Sequence, residues 1–169
     1  MASPLPRDPI ADARRNWEER GWGDVAAPMA AITAIMRTQQ ILLARIEDVL
    51  RPFGLTFARY ELLALLGFAR GGSLPMSRAS ALLQVHPTSV TNAVDRLEQA
   101  GLVARSPHPT DGRTTLIGLT RSGRAVAERA TAALNTEVFA RSGFTDDDVE
   151  QLIRVLGAFR RRAGDFTEP

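Results

Sequence analysis

The sequence predicts a mainly α-helical fold carrying one small β-hairpin, and three observations predict it. From Val25 to Leu50, the residues Met29, Ile32, Ile35, Met36, Leu43, Ile46 and Leu50 recur at helical spacing. A second periodic run, Pro87 to Ala100, is closed by Gly101. Beyond it, Leu102–Arg105 and Thr114–Leu119 read as two strands joined by a loop that contains Pro107, Pro109 and the Asp111-Gly112 turn signal.

The first long helix stops at Arg51-Pro52, and the next spans Ala58 to Ala69. Leu62, Leu63, Leu65, Leu66 and Phe68 make that helix apolar nearly all round, so it needs cover on more than one side. A short helix follows, which Ser77 can cap, sending Ala79, Leu83 and then Val85 towards the same core. The connection Gln84-Val85-His86 is short enough for a helix-turn-helix. After the hairpin, Thr120 caps a helix running towards Ala140, and Thr145 caps a last one. The last helix opens with Asp146, Asp147 and Asp148 and closes with Arg160, Arg161 and Arg162, a charge order that complements its dipole.

Short helix, tight turn, second helix and hairpin loop, in that order between Met76 and Arg124, form a winged helix-turn-helix, which reads DNA. At about 100° per residue Val90, Val94 and Leu97 share a narrow stripe on the second helix, facing the core. Thr88, Asn92, Asp95 and Gln99 lie opposite, with Ser89 and Arg96 on the flank. Short hydroxyl and amide groups near a helix start suit entry into a major groove. Ser77, Thr88, Ser89, Asn92, Arg96 and Arg113 are therefore the candidate DNA contacts. Arg113 sits at the edge of the hairpin loop, placed for a minor groove, and Asp111 can support it by pairing with its guanidinium.

Composition agrees. One domain with a real core fits 169 residues. Net charge is only +2, but from Arg70 to Arg129 eight Arg stand against four acidic residues, so the basic excess falls on the DNA-reading segment. All 21 basic residues are Arg, which fits DNA contact and fits a genome rich in G and C. Without Cys, disulfides, thiol peroxide sensing and Cys-rich zinc sites are excluded. His86 and His108 each lie beside a Pro, and no metal or other cofactor is expected. No nucleophile triad or phosphate loop is evident, so an enzyme is not expected. No apolar run approaches about 18 residues and no leader is visible, so the expected location is the cytoplasm, with the nucleoid when bound to DNA, and no membrane partner.

The run Val85-His-Pro-Thr-Ser-Val-Thr-Asn-Ala-Val-Asp-Arg-Leu-Glu-Gln-Ala-Gly-Leu-Val103, followed by Asp111-Gly-Arg113 and Leu119-Thr-Arg-Ser-Gly123, resembles the MarR family of bacterial transcriptional regulators. Two departures stand out: Gln84 where such turns often have Gly, and His86 at a capping place where Ser is common. A His there would make affinity mildly pH-dependent. The resemblance implies a homodimer held by its terminal helices, with Val149, Leu152, Ile153, Leu156 and Phe159 as the last helix's apolar stripe. It divides the chain into an extension over 1–24, a dimerisation helix over 25–54, the winged domain over 55–120 and C-terminal dimerisation helices over 121–169. Trp17 and Trp22 place an additional helix in the extension, against the partner subunit.

The resemblance also implies a repressor on a palindromic operator, since two copies reading half-sites one helical turn apart gain affinity and specificity. A small aromatic or phenolic acid, bound between the dimerisation helices and the winged domain, would release it. Met36, Gln40, Arg59, Tyr60 and Met76 are the candidate effector contacts, although the two Met fit core packing as well. The rival reading is a constitutive or architectural DNA binder without an effector.

Overall fold

The computed structural model describes residues 5–111 and 113–167. Its helices are α1 (Pro9–Glu19), α2 (Gly23–Leu50), α3 (Phe57–Phe68), α4 (Met76–Leu83), α5 (Pro87–Gln99), α6 (Arg121–Leu134) and α7 (Asp146–Arg162). Strands β1 (Ser73–Pro75), β2 (Val103–Pro107) and β3 (Thr115–Leu119) form an antiparallel sheet in the order β1-β3-β2. Mainly α with a small β-hairpin wing is therefore the fold. β1 is an addition to the expected hairpin: Leu74 pairs with Ile117, and Ser73 with Gly118. Three residues ending in Pro75 are too short to show alternation, and the strand sits at a sheet edge where Pro is tolerated.

Local chemistry starts and stops the helices. Asp8 caps α1 through Ile10 N–H, and Pro9 takes the first helical position. Thr56 caps α3, Thr120 caps α6 by accepting from Gly123 N–H at 2.9 Å, and Thr145 caps α7 in a reciprocal box with Asp148. α5 ends in a Schellman motif: Leu102 N–H donates to Leu97 O at 2.9 Å and Gly101 N–H to Glu98 O at 2.9 Å, with Gly101 at φ 69°. The helix expected to reach Ala140 changes to a π turn over Asn135–Phe139.

The core lies where α3, α5, α6 and the sheet meet, with Leu62, Leu63, Leu66, Val90, Val94, Leu97, Ile117 and Leu134 buried. Phe68, expected to be covered on its apolar helix, is 86% exposed at that helix's last position. Val85 is exposed too, because the turn carries it away from the core that Ala79 and Leu83 reach. Helix α1 packs on α2 of its own chain, and Trp17 meets Trp22 edge to face at 5.4 Å. Ile32, Ile35 and Met36 on α2 remain exposed, and every residue of α7 is exposed or half-buried.

Candidate nucleic-acid interface

Helix α5 presents the expected two faces. Val90, Val94 and Leu97 are buried, while Thr88, Ser89, Asn92, Arg96 and Gln99 are exposed on the other side. His86 caps the helix, its ring Nδ1 accepting from Thr88 N–H at 3.3 Å. The turn before it is carried by Gln84, whose φ of 53° makes it the one non-glycine in the left-handed region among the described residues. Ser80 closes the turn from inside, its hydroxyl donating to Val85 O at 2.8 Å.

Ser77 does not cap α4. The helix begins at Met76 behind Pro75, and Ser77 stands exposed within the first turn, beside the start of α5.

Asp95 departs from the expected free polar face. Arg105 of β2 reaches back to Asp95 at 2.5 Å and also to Glu98, and Arg105 N–H donates to Glu98 Oε1 at 3.1 Å. The two carboxylates hold the Arg105 guanidinium more firmly protonated than usual, the hydrogen bond to Asp95 being the largest cause. One of the two charges is thus offset from the wing side and both carboxylates are turned towards Arg105, beside a helix face of hydroxyls, amides and Arg96. Arg105 is a positioning residue that spacing alone did not reveal; the signal was two acids, three apart, on a helix meant for a polyanion.

In the wing, Asp111 does not pair with the Arg113 guanidinium. Its Oδ1 accepts from Arg113 backbone N–H at 3.1 Å and its Oδ2 from the Thr114 hydroxyl at 2.7 Å. Those bonds, the Thr114 one foremost, hold the carboxyl below its ordinary value. The Asp111 carboxylate thus bonds to the Arg113 main chain and the Thr114 hydroxyl rather than to the guanidinium, and Arg113 stands exposed with no carboxylate partner among the described residues. Gly112, the other half of the turn signal, lies outside the described residues.

The start of α6 is locked to the end of α5. Thr120 N–H donates to Leu102 O at 3.1 Å and the Thr120 hydroxyl to Gly101 O at 2.7 Å. A Cβ on Gly123 would fall 1.8 Å from Leu102 O, so the Leu-Thr-x-x-Gly motif has its Gly for close approach.

The five candidate effector residues do not share one cavity. Met36 is exposed on α2, Gln40 accepts from Arg37 at 3.2 Å, and the buried Tyr60 bonds its hydroxyl to Thr131 at 3.0 Å. Met76 lies under α5, and Arg59 lines a cleft of about 560 Å³ with Asn92, Arg96 and Gln99. A different cleft, of about 360 Å³, opens between α3 and α6 and is lined by Phe68, Arg124, Glu128 and Thr131. No described helix is long and apolar enough to cross a membrane.

Known proteins share this architecture. The MarR family model matches residues 53–114, which hold α3, the helix-turn-helix and the wing up to its tip. The solved structure of Sco5413, a MarR family transcriptional regulator from Streptomyces coelicolor, is 49% identical with a TM-score of 0.76, covering 84% of this chain and 99% of that one. The HTH-type regulator YhbI of Bacillus subtilis is 35% identical over 97 residues, which span 57% of this chain and 60% of YhbI. The transcriptional repressor CouR, solved on a 23-mer DNA duplex, is 25% identical with a TM-score of 0.70, over 76% of this chain and 90% of that one. From the exposed polar reading helix, the wing and these matches, the chain belongs to the MarR family and is a DNA-binding transcriptional regulator rather than an enzyme.

Proposed function

We propose that the protein is a homodimeric repressor that binds a palindromic operator and is released by a small aromatic or phenolic acid. The carrying observation is the unpartnered apolar surface at both ends of the chain. Ile32 on α2 is 63% exposed, and Ile153 and Phe159 on α7 are 70% and 63% exposed. Between the two helices runs an apolar groove of about 610 Å³, lined by Ile35, Leu42, Leu43, Ile46, Leu152 and Leu156. Such a surface on a water-soluble fold calls for a partner helix pair, and a second copy of the same helices is self-complementary. Dimerisation sets two α5 helices side by side, the arrangement that reads a palindrome.

In this reading Thr88, Ser89 and Asn92 contact base edges, while Arg113 enters the adjacent minor groove. Ser77 and Arg96 hold the flanking backbone. The acid occupies the α3–α6 cleft, where Arg124 faces a carboxylate and Phe68 and Leu119 offer apolar cover. Because that cleft joins the winged domain to a terminal helix, occupancy shifts the population of half-site spacings. The scatter of Met36, Gln40, Arg59, Tyr60 and Met76 favours the rival reading, a constitutive DNA binder. One experiment separates them: fluorescence anisotropy on the protein's own upstream intergenic DNA at two salt concentrations, with a panel of aromatic acids, beside light scattering for mass. Release of a tightly bound dimer by one compound establishes the ligand-gated repressor. Tight binding that no compound alters establishes the constitutive one, and a monomer that binds without salt sensitivity refutes both.

A further inference from the structure

We propose that Arg59, together with Arg96, forms a phosphate clamp for duplex DNA on the outer wall of the reading helix. This rests on the DNA-reading assignment of α5 and extends it to a residue of α3. Arg59, Asn92, Asp95, Arg96 and Gln99 line one open cleft of about 560 Å³. The acid in that cleft, Asp95, is occupied by Arg105, which approaches from the wing side. Arg59 and Arg96 have no carboxylate partner among the described residues. Two guanidiniums against one acid, itself turned to Arg105, give the cleft a net positive charge, and the Asn92 and Gln99 amides add hydrogen-bonding capacity.

The position of the cleft selects its ligand. Asn92, Arg96 and Gln99 follow one another along a single helix face at i, i+4 and i+7, over a rise of about 10 Å. When the N-terminal turns of α5, as far as Asn92, enter a major groove, the stretch beyond it at Arg96 and Gln99 leaves the base edges and meets the sugar–phosphate wall, where the preceding helices of such motifs cross the backbone. Guanidinium forks match phosphate oxygens in pairs and carry no base information. Arg59 therefore contributes affinity and salt dependence, not sequence choice.

The test compares wild type, Arg59→Gln and Arg59→Lys by anisotropy across a salt series, on the upstream intergenic duplex and on a scrambled duplex of equal length. Arg59→Gln is expected to lower the slope of log K against log salt by about 2 per dimer, one phosphate per protomer. It should weaken both duplexes by the same factor, roughly tenfold at low salt, while Arg59→Lys keeps the wild-type slope. Melting temperatures of the three proteins are compared to confirm an intact fold. An unchanged slope for Arg59→Gln overturns the clamp and leaves the DNA-reading assignment standing. A loss confined to the intergenic duplex overturns it too and makes Arg59 a base contact. Altered release by an aromatic acid with no change in slope overturns it in favour of an effector contact. A wild type that binds neither duplex refutes the DNA-reading assignment and the clamp together.

Discussion

Replacing Gly123 by Ala perturbs the joint between the reading helix and α6 with a single methyl. The added Cβ would stand 1.8 Å from Leu102 O, 2.8 Å from Leu102 C and 3.2 Å from Leu102 Cα. Ordinary carbon–oxygen contact needs about 3.5 Å, so roughly 1.7 Å must open between two backbone segments. Opening it strains the 3.1 Å bond from Thr120 N–H to Leu102 O and the 2.9 Å cap from Gly123 N–H to the Thr120 hydroxyl. Overpacking costs about 1 to 3 kcal/mol and each lost hydrogen bond about 1 kcal/mol, against a helix-propensity gain below about 1 kcal/mol. A net loss of about 3 kcal/mol lowers the melting temperature of a protein of this size by roughly 6 to 12 °C. The assay is a thermal melt followed by circular dichroism at one fixed protein concentration, because dimer stability depends on concentration. Gly23→Ala, whose Cβ meets nothing within 4 Å, serves as the control. If Gly123→Ala melts within about 2 °C of wild type, the joint has slack and the reasoning fails.

Arg105→Gln releases the charges of Asp95 and Glu98 on the face that meets DNA, so affinity should fall about tenfold, and Asp95→Asn in the same chain should restore part of it; additive effects in that double-mutant cycle would refute the neutralising role. Asn92→Ala should relax specificity at one position per half-site at a cost of about 1 to 3 kcal/mol per site, read from a panel of single-base operator variants; equal weakening on all of them would make Asn92 a backbone contact. The bonds to Asp111 depress its folded pKa below the unfolded value, so its support of the wing holds throughout the neutral range and is lost only as pH falls through that depressed value. A carbon-detected NMR titration showing Asp111 protonating in the ordinary carboxylate range would contradict this. Truncation after Gly143 removes α7 and should yield monomers with no preference for a palindrome; a dimer persisting by light scattering would assign the interface to α2 alone.

The parts of the fold written in short-range chemistry were legible in the sequence. Thr120 and Thr145 announced their helices, Gly101 its stop, and Val90, Val94 and Leu97 the buried stripe of α5. What escaped depends on chain segments distant in sequence. The partner of Asp95 is ten residues away across a turn, and β1 exists because β3 offers it an edge. Ser77 has the right chemistry for a cap, but Pro75 takes the capping position and starts the helix two residues earlier than a Ser77 cap would. Arg59 illustrates the limit most plainly: nothing in its local sequence links it to α5, and only packing places it beside Asn92 and Arg96.

A joint without slack turns angle into distance. The lock between Gly101-Leu102 and Thr120-Gly123 fastens the end of α5 to the start of α6, whose 14 residues make a lever of about 21 Å. A swing of about 10° about the far end of that lever carries the reading helix through roughly 3.5 Å, close to the 3.4 Å rise from one base pair to the next. The protein therefore needs no loosening of its DNA-reading head to lose register with an operator; about 10° at the opposite end of one rigid rod moves the head off by a whole step of the double helix.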